Sequence, residues 1–225
     1  MKIISTNNLT KTYSHKDGTV DAIKDISLDV EKGSFVTITG PSGSGKTTLL
    51  LTLAGLIRPT SGSFSFLEQD LTNVHDSELA KFRRNNVGFI MQSFALIPYL
   101  TSIQNVMLPL ALIKTSKLKQ REEAISVLES VGLGKRLNHL PRELSAGQQQ
   151  RVAIARAMVN SPSVIFADEP TGNLDPTLSI EILDFLKEIN QKNNITVIMV
   201  THSPVAAAYG TVKIHLDNGQ ISSIN

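Results

Sequence analysis

The chain contains no cysteine among its 225 residues. A disulfide framework and a thiolate metal site are therefore excluded, and a reducing compartment is favoured. Long apolar runs are also missing: the longest nearly apolar stretch, Leu49 to Ile57, falls well short of the roughly 20 residues that cross a bilayer. The N-terminal "MKIISTNNLTKTY" lacks the apolar core of a signal peptide, so a cytosolic chain is expected. Nor is there an excess of one charge. The formal net charge is +2 and no run of Lys and Arg marks a basic face, which argues against direct nucleic-acid binding. Internal repeats and low-complexity tracts are absent as well.

What is present is an ordinary globular composition, 41% hydrophobic and 19% charged, in a length that suits one large domain or one domain with an inserted lobe. The first third reads as short β-like runs, "KIISTNNLTKTY", "AIKDISLDV" and "SFVTITG". Turn chemistry at Asp17-Gly18 and Lys32-Gly33 separates them, and an antiparallel β lobe is the economical expectation. "FVTITG" gives way to a glycine loop, and Lys46 to Ile57 reads as a helix stopped by Pro59. From Asp76 to Leu140 the pattern becomes helical, in "DSELAKFRRN", "SIQNVMLPLALI" and "SKLKQREEAISVLESVG", with "VGFIMQ" strand-like between them. The β-like runs "SVIFAD", "ITVIMVTH" and "TVKIHLDNG" follow. The first two lack alternation, as strands buried on both faces of a parallel sheet do. The expected class is α/β: a P-loop core with a mainly parallel sheet, an N-terminal antiparallel β lobe and an inserted helical lobe. One domain, 1–225, is expected, with about 1–75 and 160–225 forming the β lobe and core and about 76–159 the helical lobe.

"GPSGSGKTTLL", Gly40 to Leu50, matches the phosphate-binding pattern G-x-x-x-x-G-K-[ST] at Gly40, Gly45, Lys46 and Thr47. Glycines let backbone N–H groups turn inward around phosphates, and the helix starting near Lys46 adds its positive end. The loop residues Gly40, Pro41, Ser42, Gly43, Ser44 and Gly45, with Lys46, Thr47 and Thr48, are the expected ATP cradle. Lys46 supplies charge to the β and γ phosphates and the Thr47 hydroxyl can ligate Mg2+. A phosphate loop needs an acidic partner for magnesium. "SVIFADEP" offers Asp168 and Glu169 at a strand's carboxyl end, one carboxylate for the metal and the next for a water.

"LSAGQQQRVAIARAMVNSPSVIFADEPTGNLD", Leu144 to Asp175, resembles the nucleotide-binding subunit of ATP-binding cassette (ABC) transporters, and the resemblance covers essentially the whole chain. It implies a set of roles. Tyr13 stacks on adenine, a role for which a π face is suited, although a core or surface tyrosine fits the same residue. Gln92, which taken alone is a polar cap after a strand, reaches Mg2+ and the attacking water. Glu169 polarises that water as general base, with His202 as the switch histidine on the γ-phosphate. Ser145, Gly147 and Gln148 belong to the signature "LSAGQ", where Ala146 replaces the usual glycine and alanine resists positive φ. Ser145 and Gln148 also form a capping box, so a helix start there has a structural reason of its own. Asp175 resembles the aspartate that contacts the other subunit, and before Pro176 it is equally an N-cap.

"SFALIPYLTSIQNVMLPL" and "ADEPTGNLD" are similar to segments of the branch serving lipoprotein release, macrolide efflux, antimicrobial-peptide resistance and cell-division signalling. That resemblance implies an ATPase that closes as a homodimer around two Mg-ATP. It also implies integral membrane permease subunits with four spans and a large extracytoplasmic domain, which hold the chain on the inner face of the cell membrane. The chain stops at Asn225 without the regulatory extension that importer subunits often carry, which points away from them. A soluble ABC ATPase of translation or DNA repair, a module that uses ATP only as a dimerising ligand, and a cell-division signalling ATPase that moves no solute are the alternatives. The first usually has two cassettes or a long coiled coil, and the second is disfavoured by Glu169 and His202.

Overall fold

The computed structural model describes residues 1–15, 18–113 and 116–225, so Asp17 of the expected first turn lies outside the described residues. β1 (Lys2–His15) and β2 (Gly18–Glu31) pair antiparallel, and β2 turns Ile26, Leu28 and Val30 inward in the alternation of a strand with one covered face, with Ile23 buried before the left-handed Asp25 (φ 53°) that breaks the period. β3 (Phe35–Thr39) leads through the glycine loop into α1 (Lys46–Leu53). β4 (Ser61–Phe66) and β5 (Gln69–Asp70) then complete a four-stranded antiparallel sheet in the order β2-β1-β4-β5. α2 (Asp76–Asn86), β6 (Val87–Met91), α3 (Ser102–Leu110), α4 (Lys117–Ser130) and α5 (Ala146–Met158) follow. The chain ends with β7 (Val164–Asp168), α6 (Pro176–Asn193), β8 (Thr196–Val200), α7 (Pro204–Ala207), β9 (Val212–Asp217) and β10 (Gln220–Ile224).

The second sheet runs β10-β9-β3-β8-β7-β6, with every pair parallel except β10 on β9. The mixed α/β class expected from sequence is therefore observed. "SFVTITG" does not belong to the antiparallel lobe, however: β3 lies inside the six-stranded sheet, between β8 and β9. All five residues of β8 and the first four of β7 are buried, which explains their unbroken apolar sequence.

Three clusters hold the elements in place. Ile3, Leu9, Ile23 and Leu28 of the antiparallel sheet pack with Leu49 and Leu53 of α1 against Phe166 and Ile198 on one face of the parallel sheet. Ile165, Val197 and Met199 on the other face meet Leu183 and Leu186 of α6. Ile103, Val106, Leu128, Val152 and Ala155 form a core shared by α3, α4 and α5. Phe166 is fully buried, and its replacement by alanine is expected to cost about 3–5 kcal/mol.

α1 is shorter than the sequence suggests. It stops at Leu53 because Gly55 turns left-handed (φ 67°), with Gly55 N–H on Thr52 O and Leu56 N–H on Leu51 O. This paired closure is the Schellman pattern, which ends the helix before Pro59 is reached.

Candidate functional site

The carboxyl ends of β3, β8, β7 and β6 lie along one edge of the parallel sheet, where open α/β sheets place ligands. Lys46 and Thr47 open α1 after β3, Asp168 closes β7 with Glu169 next, His202 follows β8, and Gln92 follows β6.

The glycine loop is shaped by contacts that only glycine allows. Gly45 caps α1 at φ 94°, and a Cβ there would lie 2.0 Å from Ala22 O on β2. Gly40 has φ 148°, and its Cβ would fall 2.0 Å from Leu216 O. Lys46 folds back over the loop, donating from Nζ to Gly40 O (3.0 Å) and Pro41 O (2.7 Å). The start of α1 carries no side-chain cap and no acidic residue in its first turn. Its first N–H groups, which have no partner within a helix, are left to an anion. Ser44 Oγ is buried without a hydrogen-bond partner, a second polar group that a phosphate oxygen would satisfy. The residues present fit a nucleoside triphosphate.

The Thr47 hydroxyl lies 3.3 Å from both Asp168 carboxylate oxygens. Burial raises the Asp168 pKa above the ordinary carboxylate value. The Thr47 hydrogen bond and the Lys46 charge oppose this, while the neighbouring Glu169 adds to it. Among the described residues no group of three His, Cys, Asp or Glu side chains could hold a metal ion. The Thr47–Asp168 pair fits magnesium, which is bound by one or two carboxylates and completes its shell with waters and phosphate oxygens.

Glu169 sits at φ 49°, a left-handed conformation unusual for a glutamate. Its N–H is tied to Val200 O (3.0 Å) and its O accepts from Gly172 N (3.0 Å), so both neighbouring segments fix it. Its Oε2 is in contact with Nδ1 of His202. The Glu169 side chain is 21% exposed and that of His202 68%. Beside the pair opens a cavity of about 330 Å³ lined by Glu169, Gly172, Leu174, Ile180, His202 and Val205.

Gln92 is clasped by Asn173: its Nε2 lies 3.4 Å from Asn173 Oδ1, and Asn173 Nδ2 donates to Gln92 O at 3.0 Å. Gly172 permits the approach, because a Cβ there would lie 2.6 Å from Gln92 Nε2. Asn173 and Gly172 stand in the quoted "ADEPTGNLD", but only their tertiary contact with Gln92 marks them.

Ser145 caps α5 with its Oγ on Gln148 N (3.3 Å), and Gln148 Oε1 returns to Ser145 N (3.2 Å). Ala146 is the first helical residue and does not have positive φ, so the replaced glycine leaves no strain. Gly147 packs on Leu178 of α6, where a Cβ would meet Leu178 Cδ2 at 3.1 Å. Asp175 caps α6, accepting from Thr177 N and Leu178 N at 3.0 Å each. No hydrogen bond among the described residues joins Ser145, Gly147, Gln148 or Asp175 to the phosphate loop of the same chain. Tyr13 sits on β1 opposite Val20, half-buried, with Lys11 Nζ 5.2 Å from its ring centroid.

The family model for ABC transporters matches residues 23–172, a span that holds the phosphate loop, Gln92, the signature and the Asp168–Glu169 pair. The chain belongs to the ABC transporter family. The lipoprotein-releasing system ATP-binding protein LolD of Myxococcus xanthus is 38% identical over 222 residues, covering 99% of both chains. The macrolide export ATP-binding/permease protein MacB of Syntrophobacter fumaroxidans is 42% identical over 223 residues, 98% of this chain and 31% of that larger protein. These relatives fit the exporter branch suggested by the sequence. Among solved structures, a dimeric post-hydrolysis ATP-binding cassette bound to ADP and Pi superposes with a TM-score of 0.90 at 39% identity, covering 99% of this chain and 97% of that one. The fold is that of an ABC ATPase, and its enzymatic activity is ATP hydrolysis coupled to transport. No helix among the described residues is long and apolar enough to cross a membrane.

Proposed function

We propose that this ABC ATPase drives an exporter or force-transmitting permease of the lipoprotein, peptide or macrolide class, closing as a head-to-tail homodimer around two Mg-ATP. The observation that carries the reading is the meeting, at one sheet edge, of an uncapped phosphate-loop helix, the Thr47–Asp168 contact and the Glu169–His202 pair. The solved dimeric neighbour with ADP and Pi supports nucleotide-bound dimerisation, and the ATP-binding/permease name of MacB supports a membrane partner.

In this reading the phosphate-loop N–H groups and Lys46 bind the triphosphate, and Tyr13 faces the adenine. Thr47, Asp168 and Gln92 would hold Mg2+, which would supply neutralisation of the phosphate charge. Glu169 takes the proton of the attacking water at a carboxylate oxygen. Its positive φ and its two backbone ties aim that carboxylate, and His202 fixes its rotation. Each site is completed by Ser145, Gly147 and Gln148 of the second copy, with Asp175 at the subunit contact.

Residues of about 76–159 act as the helical lobe, and the permease docks in the groove beside the glutamine loop. That groove is a hollow of about 330 Å³ lined by Leu56, Arg83, Arg84, Phe89, Pro109 and Leu112. The chain then sits peripherally on the inner face of the membrane, held by its permease. Purifying a tagged Glu169→Gln chain with Mg-ATP from gently solubilised membranes tests the assembly. A four-span partner with a large outer domain is expected. Recovery of ribosomal or DNA-repair proteins alone would overturn the transport reading and leave the ATPase chemistry standing.

A further inference from the structure

Arg156 lies two turns into α5 from the signature and reaches the segment that follows Gln92. Its guanidinium donates from Nη1 to Ala95 O (2.6 Å) and from Nη2 to Phe94 O (2.9 Å). Both acceptor residues are left-handed, Phe94 at φ 60° and Ala95 at φ 49°. Two consecutive non-glycine residues in this region persist only where surrounding contacts hold them. Within the turn, Phe94 N–H reaches Met91 O at 3.0 Å and Ala95 N–H reaches Ser93 O at 2.6 Å, so Gln92 is enclosed by the strained segment.

The fork is charged yet has no carboxylate partner among the described residues, and burial lowers its pKa. A half-buried cation balanced only by carbonyl dipoles is an expensive way to hold a loop, and a specific task offsets that cost. The same helix grips the loop on the other side of Gln92. Gln150 Nε2 donates to Pro170 O at 2.6 Å, and that loop carries Asn173, the partner of Gln92. Helix α5 thus holds Gln92 from both flanks, and its N-cap is Ser145.

We propose that Arg156 is a positioning residue for Gln92: its two bonds keep Phe94 and Ala95 left-handed and tie the placement of that glutamine to the helix that carries the signature. The proposal rests on the reading of Gln92 as a residue that faces the metal and water. Arginine suits this task because its planar fork holds two donors in a fixed geometry against the two successive carbonyls, whereas the rotatable ammonium of lysine fixes no such plane.

The test is steady-state ATPase kinetics and ATP binding on the purified full chain, with Arg156→Ala, Ala95→Gly, the double variant and Gln92→Ala. Glycine adopts positive φ freely, so Ala95→Gly removes the need for the clamp at that position. Arg156→Ala is expected to lower kcat about tenfold while ATP affinity stays within about twofold. Ala95→Gly is expected to leave the wild-type kcat within about twofold and to restore several-fold of the loss in the Arg156→Ala background. A merely structural arginine would lower stability and give no such rescue. If Arg156→Ala does not fold, Arg156→Lys with and without Ala95→Gly carries the same comparison. An unchanged kcat in Arg156→Ala, or a loss that Ala95→Gly does not relieve, overturns the proposal while an impaired Gln92→Ala preserves the reading of Gln92. A Gln92→Ala chain with full kcat removes both.

Discussion

Nδ1 of His202, just past β8, meets Oε2 of Glu169, just past β7. Because β7 and β8 are paired in parallel register, with Asp168 opposite Val200, the two side chains are set by the sheet rather than by loop flexibility. The contact fixes the carboxylate and leaves Nε2 as the ring atom that can address a phosphate oxygen. His202→Ala is expected to reduce kcat by about 10²-fold, the scale of losing one preorganised donor, while ATP affinity changes little. Phosphate release measured beside equilibrium nucleotide binding checks the split.

Lys46 donates from its ammonium to the carbonyls of Gly40 and Pro41, which holds it over the loop. Lys46→Ala is expected to weaken ATP binding by more than about tenfold, since charge-assisted bonds to phosphate are worth about 1.5–3 kcal/mol. Isothermal titration calorimetry reads this directly.

Asp168 offers a pH prediction. Burial raises its folded-state pKa, so this group's contribution favours folding at acid pH and is lost as pH rises through the folded pKa. Asp168→Asn is neutral throughout. The Tm of the nucleotide-free variant relative to the parent is therefore expected to grow more favourable from acid pH toward neutrality, while Mg2+-dependent hydrolysis is lost. Thermal melts at several pH values, with and without Mg-ATP, check both.

Gly45→Ala puts a Cβ into Ala22 O and demands a left-handed alanine at the α1 cap. A destabilisation of at least about 1–3 kcal/mol is expected from the backbone conformation alone. The clash with β2 should distort the loop, so ATP binding falls as well. Denaturant unfolding and nucleotide titration of the same sample measure the two losses.

Much of this was legible in the sequence because it is local. The apolar runs of β7 and β8, the glycine spacing of the phosphate loop and the strand-end Asp168–Glu169 pair all follow from residues close in the chain. Strand β4, "SGSFSF", is not legible locally, since its serines and glycine give little strand signal and its pairing with β1 comes from far along the chain. "SFVTITG" is legible as a strand but not as a member of the parallel sheet, because nothing local tells a strand which sheet it joins. Arg156 and Asn173 stood in the quoted motifs yet carried no sign of their partners, which are carbonyls and a glutamine some 60 to 80 positions away. The positive φ of Glu169 was equally hidden, since glutamate does not advertise a left-handed backbone.

The central claim is that ATP closes two copies of this chain and hydrolysis through Glu169 reopens them. Size-exclusion chromatography with light scattering on purified Glu169→Gln, with and without saturating Mg-ATP, tests it most directly. The account predicts a monomer without nucleotide and a stable dimer with Mg-ATP, alongside an unmodified chain that dimerises only transiently. A Glu169→Gln chain that binds Mg-ATP and remains monomeric would contradict it.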